Sequence, residues 1–133
     1  MNRLLAGVTA GLVLSLSMTG QAHHSFAAEY DRGRTITVTG TVDRLEWTNP
    51  HARLYVNGKD ENGKDQLWDF ELGPPNGLMR NGWSRNSLKQ GDKVTVEGYR
   101  SKLAQDGANA RSVVMADGHK VFAGSSADSP NTQ

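Results

Sequence analysis

The chain is 133 residues long, with 15 basic and 14 acidic residues and no cysteine. That length suits one domain. The near balance of charge argues against a nucleic-acid partner, which would call for a basic excess. The missing cysteine excludes disulfides and thiolate metal sites.

Residues 1–22 read as an export signal. Arg3 precedes the apolar run from Leu4 to Leu16, and small residues surround Gly20-Gln21-Ala22. The run falls short of the ~20 apolar residues of a membrane helix, and Gly7 and Gly11 weaken it further. No stable membrane anchor is expected. No cysteine follows Gly20, which excludes lipoprotein processing. Cleavage after Ala22 is preferred to a cut after Ala27, because the later site lies further from the apolar run. The leader holds Arg3 and no acid, so the exported chain balances its charges. It begins at His23, and its expected location is periplasmic or secreted.

Residues 23–33 form a polar lead-in carrying Phe26 and Tyr30. From Arg34, the residues Ile36, Val38, Gly40 and Val42 alternate with threonines, as a strand requires. Leu45 and Trp47 continue on the opposite parity. That slip predicts a bulge or sharp bend, and Gly40 relieves crowding near it. Thr48-Asn49-Pro50 is a turn. A second strand holds Ala52, Leu54 and Val56 on one face. Asn62-Gly63 marks a hairpin tip. A third strand alternates Trp68, Phe70 and Leu72 against Asp69 and Glu71. Asn76 is placed to cap a short helix containing Leu78, Met79 and Trp83. Val94, Val96 and Gly98 share one face of a fourth strand. After a polar loop over 103–109, the stretch from Ala110 is split into a tight hairpin by Asp117-Gly118. Residues 124–133 are small and polar, and are expected to be a disordered tail.

Three strands, a short helix and two or three more strands predict an all-β fold. The order matches a small OB-like Greek-key barrel over residues 34–123, with its helix between strands 3 and 4. A small β-sandwich is the alternative.

No nucleophile elbow and no phosphate-cradling glycine loop is present, so no enzyme is expected. Asp69 and Glu71 read as part of a solvated face. The four histidines are His23, His24, His51 and His119. At a new N-terminus, His23 would offer its amine and ring Nδ1 to one metal ion. His51, in the turn after Pro50, or His24 would complete a nitrogen-rich set suited to copper. Met79 and Met115 are soft candidates for Cu(I). The opposing reading leaves the histidine pair solvated and His51 as an ordinary turn residue. A different alternative is a saccharide, peptide or protein partner on an outer aromatic and basic face of Arg44, Arg53, Tyr55 and Tyr99. The tryptophans belong to the core.

The strings "HHSFAAEYD", "ITVTGTV", "WTNPHARLYV", "FELGPPNGL", "GDKVTVEGYR" and "ANARSV" resemble a family of small exported bacterial proteins known only as a domain of unknown function. The resemblance runs from His23 to about Gly124. It implies an exported OB-like module in a Gram-negative-type bacterium, and it carries no activity. The shared strings include the histidine pair and the Asn-Pro-His turn. The barrel is also similar, by fold analogy alone, to periplasmic OB-fold proteins linked to stress tolerance and cation binding.

Overall fold

A computed structural model describes residues 26–124. The expected signal peptide, His23, His24 and the tail beyond Gly124 lie outside them. Residues 26–29 make one helical turn. Then follow β1 (Tyr30–Glu46), β2 (Arg53–Lys59), β3 (Asp65–Glu71), the helix α1 (Pro75–Arg80), β4 (Lys93–Ser101), β5 (Gly107–Val114) and β6 (Lys120–Phe122).

The 17-residue β1 serves two neighbours. Its first part, Tyr30 to Thr41, pairs with β4, and its last part, Thr41 to Glu46, pairs with β2. To do both it must coil across the sheet. The expected phase slip is there, as a register shift between Val42 and Arg44. Gly40 sits at the crossing, where a Cβ would lie 2.0 Å from the Asn57 carbonyl oxygen. No larger side chain fits there without moving backbone.

β2 and β3 form an antiparallel hairpin. Asp69, Phe70 and Glu71 of β3 then pair in parallel with Gly107, Ala108 and Asn109 of β5. Since β5 also pairs with β4, this contact closes the sheet into a barrel. The order around it is β1-β2-β3-β5-β4, the OB-like arrangement expected. β6 pairs with β5 as a short hairpin arm outside the closed ring. The Met115 N–H donates to the His119 carbonyl across its turn.

Strand parity fills the interior. Val38, Val42, Leu54, Val56, Trp68, Phe70, Leu72, Val96 and Val113 are all buried. Trp68 and Trp83 are core residues, and each satisfies its indole N–H on a backbone carbonyl, those of Lys59 at 3.1 Å and Phe122 at 2.8 Å. Trp47 packs against the core from its margin.

Two local expectations shift. β1 starts at Tyr30, ahead of the alternation that begins near Arg34, because Tyr30 and Asp31 already pair with Ser101 and Arg100. Residues 32–34 bulge out between those pairs and Thr35. The helix starts at Pro75, with Pro74 at its N-cap and no side-chain cap. Asn76 lies inside it, because Pro75 brings a preset φ and no N–H that needs a partner, and Trp83, expected within the helix, lies beyond its end at Arg80.

Gly98 repeats the constraint of Gly40, with a Cβ position 2.0 Å from the Asn109 carbonyl oxygen. Gly77 in α1 has nothing closer than 3.5 Å. Urea unfolding is therefore expected to show Gly40→Ala and Gly98→Ala each losing at least about 2 kcal/mol. Gly77→Ala should be neutral or stabilising.

Candidate functional site

Glu71 ends β3 on the outer face of the barrel. The β2–β3 register sets Arg53 opposite Glu71, and Tyr55 opposite Asp69. With a period of two, these four side chains share the outer face while Leu54 and Phe70 fill the inside. Arg53 grips Asp69 through two bonds, Nε to Oδ1 at 2.9 Å and Nη2 to Oδ2 at 2.8 Å. Its Nη1 also lies 3.8 Å from Glu71. The bonds to Asp69 push the Arg53 pKa above its already high value, so its charge is fixed. The acids expected on a solvated face are thus the anchors of an ion-pair network.

Two other elements meet Glu71. The Tyr30 hydroxyl donates to Glu71 Oε2 at 2.9 Å. His51 Nδ1 lies 3.6 Å from Glu71 Oε1, an ion-pair separation longer than a hydrogen bond. The backbone beside His51 is pinned. The next residue, Ala52, is buried; it donates to the Gly73 carbonyl and accepts from the Leu72 N–H. The Thr48 hydroxyl donates to the His51 carbonyl at 3.3 Å. With Nδ1 turned to a carboxylate and its side chain 40 % exposed, His51 keeps Nε2 for another partner. At that separation the Glu71 carboxylate faces the ring from behind without hydrogen-bonding it.

Tyr30 ties this corner to the start of the chain. It is buried, with its ring 5.3 Å from Phe26. Phe26 also meets Tyr99 edge-on at 6.1 Å. The Ala27 and Glu29 carbonyls accept from Lys102 Nζ and the Lys102 backbone N–H. The lead-in is therefore strapped across the barrel, with Tyr30 reaching Glu71.

The outer-face candidates separate into two groups. Arg44 lies over the Tyr55 ring at 3.5 Å and bonds Glu46 and Asp43. With Arg53 it forms one strip, but four carboxylates, Asp43, Glu46, Asp69 and Glu71, face two guanidinium groups there. The strip is acidic on balance, not basic. Tyr99 lies apart from it, buried beneath Phe26 and hydrogen-bonded at 2.7 Å by Arg111. His119 is in the β5–β6 turn. Met79 is exposed, and Met115 packs against the core.

Among the described residues, no three histidine, cysteine or acidic side chains converge on one point as a metal site. His51 and Glu71 supply a pair, and further donors would have to come from outside. No helix among the described residues is long and apolar enough to cross a membrane.

The fold and the site define a small closed β-barrel of OB-like order with a carboxylate-backed histidine at one corner. Residues 10–110 match a family of unknown function, DUF6152, and the chain belongs to it. No curated protein and no solved structure matches the chain.

Burial, followed by the charge and hydrogen bond of Glu71, raises the Tyr30 pKa well above its ordinary value of 10.0. A raised pKa keeps the folded phenol protonated, so its stabilisation is complete below about pH 10 and is lost as pH rises beyond it. Tyr30→Phe should cost about 2 kcal/mol at neutral pH. The variant should also lose less stability above pH 10 than the parent, as read by unfolding at several pH values.

Proposed function

We propose that this is an exported binding protein, not an enzyme, and that it holds a copper-type ion between His51 and the histidine pair of its lead-in. The observation that carries the reading is the shared Glu71 carboxylate, which faces His51 Nδ1 with one oxygen and accepts from Tyr30 with the other. The lead-in and the Asn-Pro-His turn thus meet at a single side chain.

Chain length does the rest. Only His24 and Ser25 lie between His23 and Phe26, so the three residue steps reach up to about 10 Å when extended. After cleavage behind Ala22, His23 would bring its amine and ring nitrogen, with His24 beside it. His51 would add an imidazole. Such a nitrogen-rich set suits Cu(II), and the surplus of carboxylates around Arg53 and Arg44 favours a cation. The chemistry supplied is retention of the ion in the exported compartment. The rival reading, an aromatic and basic docking face, has less support because both arginines in the strip are already held by carboxylates.

Protein beginning at His23 should bind Cu(II) one to one, with nitrogen-dominated spin-resonance spectra. His51→Ala should weaken binding at least about tenfold, and Glu71→Gln about threefold or more through loss of the negative charge facing the ring. One extra residue ahead of His23 should weaken it too, because the amine moves. Affinity that changes less than threefold in His51→Ala would remove His51 from the set.

A further inference from the structure

A second site lies on the outer face of β1, β4, β5 and β6, away from His51. It is a cleft of about 540 Å³, within the range that accommodates small molecules. Tyr99 and Phe122 give it apolar surface, Thr35 and Thr37 form the β1 side, and Arg111 and Lys120 bring positive charge.

Arg111 has an unusual position. Glu97 pairs with Ser112, and the next residue, Gly98, pairs with Ala110. Arg111 is the extra residue of a β-bulge, a device that re-aims a side chain. Its Nη1 donates to the Tyr99 hydroxyl at 2.7 Å, and its guanidinium carbon lies 5.4 Å from the Tyr99 ring centre. Among the described residues no carboxylate lies within ion-pair distance of it.

The nearby acid is already occupied. Glu97 accepts from Lys120 Nζ at 2.7 Å and from the Ser112 hydroxyl at 2.9 Å. Lys120 first, and Ser112 after it, hold its pKa below the ordinary carboxylate value. Lys120 and Glu97 offset each other, and Arg111 is left as the surplus charge beside an aromatic wall.

We infer that this cleft binds a small amphipathic anion, with a flat apolar body against Tyr99 and Phe122 and a carboxylate, sulfonate or phosphate head on Arg111. The guanidinium has N–H groups left beyond the one on Tyr99, and its planar fork matches an oxyanion. The hydroxyl of Tyr99 fixes that fork before a ligand arrives, which lowers the cost of binding. Neither His51 nor the lead-in histidines take part, so the site stands whether or not a metal binds.

The probe is 1-anilinonaphthalene-8-sulfonate, an aromatic body with one anionic group, added to the metal-free chain. Saturable one-to-one emission is expected, with amide shifts in NMR spectra centred on residues 97–99, 111–112 and 120–122. Arg111→Gln should weaken binding at least about tenfold. Tyr99→Phe keeps the ring but frees the guanidinium, and should weaken it about threefold or more. N-phenyl-1-naphthylamine, the same body without the charge, should bind worse than the sulfonate and ignore Arg111→Gln. Equal binding of the two probes would overturn the inference. So would amide shifts centred on the exposed Leu67 or Leu103, or a change of less than threefold in an Arg111→Gln variant that keeps the parent's circular dichroism.

Discussion

Everything in this barrel depends on one strand pairing with two partners. β1 lies against β4 and then against β2, and a flat strand cannot do that while keeping one face inside. Coiling brings the backbones close at Gly40, and an equivalent approach recurs at Gly98. The bulge after Val42 then resets parity, so that Leu45 still turns toward the core. With these features in place, the β3–β5 contact closes the sheet.

The same coiling sorts the outer face into two districts. On β2 and β3 the outward Arg53, Tyr55, Asp69 and Glu71 form an ion-pair network in which carboxylates are in surplus. On β4 and β5 the outward residues are Glu97, Tyr99 and Ser112, with the bulged Arg111, whose guanidinium has no carboxylate at ion-pair distance among the described residues. Phe26 and Tyr30 lie between the two, with Phe26 on Tyr99 and Tyr30 on Glu71. The lead-in is thus an integral part of the outer surface, and it borders both districts.

Much of the architecture was legible in the sequence. Alternation located every strand to within a few residues, and the change of parity between Val42 and Leu45 located the bulge. Tertiary partners were less visible. Asn62-Gly63 suggests a two-residue hairpin, which would set Arg53 opposite Leu72. The Asp60 N–H instead bonds the Lys64 carbonyl, Gly63 takes a φ of 79°, and three residues form the loop. That difference of one residue decides whether Arg53 meets Glu71, and periodicity cannot resolve it. Tyr30 was invisible as a site residue because its partner is 41 positions away. Arg111 was invisible because a bulge changes which side a residue takes.

The hairpin arm β6 has one consequence for life at high concentration. A closed barrel offers neighbours no unpaired strand, yet β6 pairs with β5 alone among the described residues, and on its other edge only the Phe122 carbonyl is covered, by the Trp83 indole. Open edges invite other chains to add strands and polymerise. This one is only three residues long and begins with a lysine, too short and too charged to template a growing sheet. The arm can therefore wall a cleft without turning the protein into a seed for aggregation.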